Sequence, residues 1–116
     1  RRMIMDSLHH WVQLMHVDGF RFDLASVLAR DEQGKPQKSP PLLWEIESDP
    51  ILAGTKLIAE AWDAGGLYQV GSFIGDFWVE WNGRFRDDVR SFWKADAGTV
   101  PRLASRFLAS PDLYVH

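Results

Sequence analysis

Residues 17–25, VDGFRFDLA, place two charged side chains on one face of a predicted β-strand. Because side chains alternate between the two faces of a strand, Arg21 and Asp23 share one face while Phe20 and Phe22 share the other. The phenylalanines suit packing against a core. The face that carries a guanidinium and a carboxylate is therefore the first candidate for a functional site.

A second carboxylate lies near the end of the next predicted strand. Residues 55–62, TKLIAEAW, are predicted to form a buried strand with Glu60 at its carboxyl end. Ligands bind at this edge in parallel sheets and barrels, so Asp23 and Glu60 are expected to face each other. Such a pair can supply a nucleophile and a proton donor for glycoside cleavage if their pKa values differ. Arg21 would favour the ionised form of Asp23.

The residue pattern alone leaves other interpretations open. A strand-end aspartate often caps the following helix, and an Arg–Asp pair can be a plain ion pair. A divalent-metal site could also be built from Asp18, Asp23 and Glu60, although Asp18 faces away from the other two. We expect no metal and no cofactor.

Hydrophobic periodicity indicates the elements that position these residues. It predicts helices at 3–15, 42–48, 83–94 and 99–108, strands at 17–23 and 55–62, and a short apolar turn or helix at 24–30. Residues 63–82 are predicted to form one glycine-punctuated loop, long enough to be functional. One side of the helix at 83–94 is predicted to be solvated and to carry local ion pairs among Arg84, Arg86, Asp87, Asp88 and Arg90.

Alternating strands and helices predict an α/β fold with parallel strands and helical crossovers. Asp23 and Glu60 are 37 residues apart, and a TIM (β/α)₈ barrel of about 250 residues has about 31 residues per unit. One slightly longer unit fits this interval. Since two units cannot close a barrel, we expect residues 1–116 to be a fragment of a single barrel domain.

Composition excludes several classes of protein. The formal net charge of −3 argues against a nucleic-acid partner, which usually requires a basic patch. No apolar run is long enough to predict a membrane-spanning segment. The absence of cysteine excludes disulfides and thiolate metal sites, and it fits a reducing compartment.

Two motifs carry a resemblance to a known family. VDGFRFDLA resembles the fourth-strand motif of the α-amylase superfamily, glycoside hydrolase family 13, whose core is Gly-Phe-Arg-x-Asp. LIAEAWDAGGLYQVG resembles the fifth-strand motif in its debranching-enzyme form. The flanking stretches, including PPLLWEIESDPILAGTK and EWNGRFRDDVRSF, are similar to bacterial glycogen-debranching enzymes and plant isoamylases. The resemblance implies that the chain contains roughly the fourth and fifth β/α units.

The resemblance also implies residue roles. Asp23 would be the nucleophile, Glu60 the general acid/base, and Arg21 the group that orients Asp23, in retaining hydrolysis of α-1,6 branch points of glycogen or limit dextrin. Sugar subsites would be shaped by Trp62 and by three aromatic residues of the 63–82 loop that follows it, Tyr68, Trp78 and Trp81.

The same resemblance sets further expectations. The family's third carboxylate and its upstream His and Asn contacts would lie outside this chain, so we expect the 116 residues alone to be inactive. The implied partner is a branched α-glucan in the bacterial cytoplasm or a plastid. Other members act on α-1,4-glucans, and a non-catalytic glucan-binding fragment is a further alternative.

Overall fold

In the computed structural model, which describes residues 1–114, a small parallel sheet is covered on one face by helices. The elements in chain order are α1 (Arg2–Gln13), β1 (Gly19–Phe22), a 3-10 helix (Ala25–Ala29), α2 (Pro41–Ser48), β2 (Lys56–Ala59), β3 (Trp78–Glu80), α3 (Gly83–Trp93) and α4 (Val100–Phe107). The strand order is β1-β2-β3, and both pairings are parallel. This arrangement confirms the predicted α/β class and is consistent with part of a TIM barrel. None of these helices, all within the described residues, is long and apolar enough to span a membrane.

The two faces of the sheet differ as the alternating pattern predicts. Phe20 and Phe22 of β1 pack against the buried cluster beneath the helices. On the opposite face, Arg21, Ile58 and Val79 are register partners across the three strands. The cluster consists of Met5, Leu8, Ala25, Ala29, Leu42, Leu43, Ile46, Leu52, Leu57, Ala59 and Trp78. One face of the sheet is thus the core, and the other carries Arg21 beside Ile58 and Val79.

The prediction of an unbroken loop over residues 63–82 is wrong at β3. Trp78 pairs with Leu57 and is only 8% exposed, so it belongs to the core and not to a sugar-lining loop. A three-residue strand is too short for its alternation to stand out from a sequence rich in glycine. β1 and β2 are also shorter than predicted, so Asp23 and Glu60 each directly follow a strand.

Close contact between β1 and β2 depends on Gly19. A Cβ atom at this position would lie 2.5 Å from the carbonyl oxygen of Lys56 and 2.7 Å from its Cβ atom. Any side chain would therefore push the two strands apart. The missing side chain lets β1 approach the strand that leads to Glu60.

Candidate functional site

The ends of β1 and β2 bring the three sequence-predicted residues together. Phe22 and Ala59 are register partners, so Asp23 and Glu60 are the next residues on neighbouring strands. Nη2 of Arg21 lies 3.2 Å from Oδ1 of Asp23 and also contacts Oε1 of Glu60. A single guanidinium thus bridges both carboxylates at the carboxyl edge of the sheet.

Backbone hydrogen bonds fix the position of Glu60. Its N–H donates to the Phe22 carbonyl at 3.0 Å, and its own carbonyl accepts from Ala25 N–H at 2.9 Å. Leu24 N–H donates to Oε2 of the Glu60 side chain at 3.2 Å. Leu24 adopts a left-handed backbone (φ 45°, ψ 47°), which is uncommon for a residue with a side chain. This strained turn supplies an N–H group to the Glu60 carboxylate.

The two carboxylates have different environments. The Asp23 side chain is 73% exposed, whereas that of Glu60 is only 12% exposed. Burial acts to raise the pKa of Glu60, but Leu24 N–H and the Arg21 guanidinium together hold that pKa below its usual range. Glu60 is therefore ionised at neutral pH in this arrangement.

The geometry also bears on the other interpretations of Asp23 and Glu60, namely a helix cap, a plain ion pair and a metal site. The 3-10 helix that follows β1 has no side-chain cap, so Asp23 does not cap it. The ion pair between Arg21 and Asp23 is present, but it is shared with Glu60. Among residues 1–114, no cluster of three or more histidine and carboxylate side chains could hold a metal ion.

Trp81 supports the shared guanidinium. Its N–H donates to the carbonyl of Ala59 at 2.9 Å, which extends the pairing of β2 and β3. The guanidinium carbon of Arg21 lies 4.6 Å from the centre of a Trp81 ring, a cation–π contact. The ring that packs on Arg21 thus belongs to the residue directly after β3, the strand that the sequence did not predict.

Trp62 and Tyr68 form an aromatic platform beside the carboxylates. Their rings are stacked, with centroids 6.1 Å apart and planes inclined by 10°, and the two residues form an antiparallel β-bridge. They line a cleft of about 280 Å³ together with Asp63, Gly66, Leu67, Gly83, Arg84, Arg86 and Asp87. Of the four side chains predicted to shape sugar subsites, Trp78 therefore lies in the core, Trp81 packs against Arg21, and Trp62 and Tyr68 line this cleft.

Two arginines of α3 were not predicted to belong to this cleft. Arg86 forms the expected local ion pair with Asp87 at 2.7 Å, but its guanidinium also lies 5.6 Å from the Trp62 ring. Arg84 lies 5.6 Å from the Tyr68 ring, and its N–H donates to the Tyr68 hydroxyl. The predicted solvated side with local ion pairs is present, since both side chains are about half exposed, but these two residues also contact the aromatic rings. Helical spacing shows which residues share a face but not what the face meets.

The ion pair between Arg30 and Asp63 was also not predicted from the sequence. Nε of Arg30 donates to Oδ2 of Asp63 at 2.6 Å, and the Asp63 side chain is only 2% exposed. The Arg30 hydrogen bond is the main reason that the pKa of Asp63 lies below its usual range. The partners are 33 residues apart, and no local pattern indicates such a pair. It links the segments that follow β1 and β2.

Three known proteins are similar to nearly the whole chain. Isoamylase 3, chloroplastic, of Oryza sativa subsp. japonica is 54% identical over 98% of this chain and 15% of its own length. Isoamylase SU1, chloroplastic, of Zea mays is 48% identical over 98% and 17%, respectively. The glycogen operon protein GlgX homolog of Mycobacterium tuberculosis is 51% identical over 97% and 16%.

The chain spans 15–17% of the length of these relatives. No protein-family model matches it. An identity of 48–54% over 97–98% of this chain indicates common descent. The chain is therefore homologous to one segment of the isoamylases and GlgX homologs.

Proposed function

We propose that this chain is part of the catalytic domain of a retaining glycosidase that hydrolyses α-1,6 branch linkages of glycogen or limit dextrin. Asp23 is the nucleophile and Glu60 the general acid/base. The observation that carries the proposal is the Arg21 guanidinium, which contacts both carboxylates at the ends of adjacent parallel strands. The names of the relatives, isoamylase and glycogen operon protein, support the reaction and the substrate.

The proposal includes a place in a barrel. β1 and β2 are the fourth and fifth strands of one (β/α)₈ domain, and the polar face with Arg21 lines its interior. The parallel pairing and the helix-covered opposite face support this placement. The compartment is the bacterial cytoplasm or, in a plant, the plastid, because the plant relatives are named chloroplastic.

The spacing of the carboxylates favours retention over inversion. One oxygen of Asp23 and one of Glu60 contact the same arginine nitrogen. These two oxygens therefore lie close together, which favours the roughly 5–5.5 Å separation of carboxyl groups in retaining enzymes over the roughly 6.5–9.5 Å of inverting ones. Little room remains for a water molecule to attack directly, so a covalent route follows.

The reaction has two steps. In the first, Glu60 donates its proton to the glycosidic oxygen while Asp23 attacks the anomeric carbon, which breaks the C–O bond and leaves a glycosyl ester. In the second, Glu60 accepts a proton from water as that water attacks the same carbon and releases Asp23. The lowered pKa of Glu60 suits the second step. For the first step, a sugar ring must displace Arg21 from Glu60 and exclude water, both of which raise the pKa.

The aromatic side chains complete the proposed site. Apolar faces of glucose units pack on aromatic rings, and the Trp62–Tyr68 pair, which begins two residues after Glu60, offers the ring surface that Arg84 and Arg86 leave uncovered. One face of Trp81 is covered by Arg21, so that ring can hold the guanidinium and meet a sugar only with its remaining surface. Tyr68 and Trp81 are 39% and 49% exposed, which leaves both open to a ligand.

Linkage specificity is tested with the full-length enzyme that carries this segment. Incubation with a branched limit dextrin should release linear chains, and linear maltodextrin of similar size should stay intact. Separation of the products by size and reducing-end analysis give the bond that is cut. Cleavage of the linear substrate alone would contradict the proposal and indicate an α-1,4-acting enzyme instead.

Two charge-removing variants test the residue roles. Asp23→Asn and Glu60→Gln should each lower kcat on branched dextrin by about 10³-fold or more, because each removes a group needed in the transition state. Circular dichroism and the melting temperature should change little. Asp96→Asn on the loop between α3 and α4 is the control, since within residues 1–114 its carboxylate pairs with exposed Lys94 alone. Near-wild-type turnover by either active-site variant would refute the assignment.

A further inference from the structure

The Trp62–Tyr68 platform depends on a tight reversal of the chain. Asp63 N–H donates to the carbonyl of Leu67 at 2.9 Å, and Leu67 N–H donates to Oδ1 of Asp63 at 3.0 Å. Gly66 within this turn has a left-handed backbone (φ 88°), which glycine adopts without strain. The reversal brings Tyr68 back beside Trp62 so that their rings stack.

The remaining oxygen of Asp63 ties this turn to another part of the molecule. Oδ2 accepts from Arg30 Nε at 2.6 Å, and Nη1 of the same arginine donates to the Gly34 carbonyl at 2.6 Å. Arg30 directly follows the 3-10 helix, which continues from the strand with Arg21 and Asp23. The turn that presents the platform is therefore attached to the segment that presents the proposed nucleophile.

The contact between Arg30 and Asp63 is an ion pair, and this determines what it contributes to the structure. A buried ion pair gives little net stability, because both charges lose hydration, but the loss of one partner leaves a charge that is costly to bury. Hydrophobic side chains would hold a turn against the core as firmly. A charged, forked and directional contact instead restricts the turn to one geometry.

We infer that Arg30 and Asp63 are positioning residues, whose ion pair holds the Trp62–Tyr68 platform in place to bind an α-glucan chain. The inference rests on the proposed function, since it names a determinant of substrate binding at that site. Both oxygens of Asp63 are already engaged by the protein. Asp63 therefore acts through the platform and not by touching the sugar.

Steady-state kinetics of the full-length enzyme carrying this segment test the inference. Asp63→Ala should raise KM for a branched maltooligosaccharide about ten-fold, with kcat changed by no more than about two-fold, because ground-state and transition-state binding are lost together. The pH dependence of kcat should stay that of the wild type. Asp96→Ala, which breaks an exposed ion pair, should leave KM unchanged.

A double-mutant cycle separates positioning from general support of the fold. In a Trp62→Ala background, where the platform is already lost, Asp63→Ala should add less than about two-fold to KM. If Asp63→Ala raised KM by the same factor with and without Trp62→Ala, the inference would be contradicted. An unchanged KM in Asp63→Ala, or equal losses in kcat and melting temperature without a KM effect, would also contradict it.

Conservative variants cover the case in which Asp63→Ala does not fold. Asp63→Asn keeps an acceptor for Leu67 N–H, and Arg30→Lys keeps the charge but loses the forked geometry. Both should give intermediate KM values, and wild-type values in both would overturn the inference. Calorimetric titration with the same oligosaccharide supplies a separate readout. If the wild type binds the sugar but does not hydrolyse it, the proposed function fails while the affinities still test the positioning role.

Discussion

Arg21 has two carboxylate partners and one aromatic partner, and this uneven charge balance matters for chemistry. One positive charge shared between two negative ones leaves the strand ends with a net negative charge. Glycoside cleavage passes through a transition state with positive charge on the sugar, which such a site stabilises. The arginine keeps the two carboxylates together without neutralising them both.

The lowered pKa of Glu60 predicts a pH dependence of stability. A carboxyl group whose pKa is lower in the folded protein stabilises it above the unfolded value of about 4.5, and this contribution is lost as pH falls through the folded pKa. Glu60→Gln should therefore lower the urea midpoint by a small amount that is largest at neutral pH and shrinks progressively below pH 4.5. An equal difference at pH 7 and pH 3 would contradict this, and Asp96→Asn provides the control for loss of a carboxylate.

At the scale of elements, the site depends on how closely β1 approaches β2. Neither strand has more than four residues, so a small separation at Gly19 would carry through to Asp23 and Glu60. The 3-10 helix and the turn after β2 then extend the contact beyond the strands, through Ala25 N–H and Glu60 N–H. Short strands are thus aligned by backbone contacts at both ends.

A matched pair of glycine variants tests this dependence. Gly19→Ala should lower the free energy of unfolding by about 1–3 kcal/mol, because its Cβ would overlap Lys56. Gly54→Ala is the control, since a Cβ there meets nothing within 4 Å, and its effect should stay within about 0.5 kcal/mol. Urea denaturation measures both. Equal effects in the two variants would show that the strand approach is not limiting.

Prediction from the sequence was most accurate for the charged residues whose positions follow from strand alternation. Arg21, Asp23 and Glu60 could be predicted, because alternation assigns their face and parallel strands bring their carboxyl ends together. β3 could not, since three residues carry too little pattern. The contacts of Arg84 and Arg86 with the platform, and of Arg30 with Asp63, depend on how distant segments meet. Such contacts cannot be predicted from the local sequence around either partner.

On the scale of the whole molecule, ion pairs connect the late helices with the region around the cleft. Arg106 of α4 contacts Asp88 of α3 at 3.2 Å and also Asp112, which in turn pairs with cleft-lining Arg84 at 3.1 Å. Asn82, which caps α3, donates to the hydroxyl of Ser110 at 2.8 Å. The position of the cleft arginines is thus coupled to α4 and to the turn that follows it.

Two arginines that share one carboxylate test this network. The Arg106 side chain is 5% exposed and the Arg102 side chain 56%, yet both contact Asp88. Arg106→Met should lower the free energy of unfolding by about 1–3 kcal/mol, because it removes a buried guanidinium that contacts both Asp88 and Asp112. Arg102→Met should cost about 0–1 kcal/mol, as expected for an exposed pair. Similar urea midpoints for the two variants would argue against a structural role for Arg106.

The left-handed backbone at Leu24 has a consequence for which amino acids this position tolerates. That conformation costs a residue with a side chain roughly 1–2 kcal/mol, and β-branched residues enter it least readily. Glycine or asparagine would relieve the strain but would remove the leucine side chain from its half-buried position. A substitution that relieves the backbone strain at Leu24 therefore also removes side-chain packing that helps to orient its N–H group toward Glu60. Engineering for heat resistance should avoid this residue, however favourable a glycine appears from the backbone angles alone.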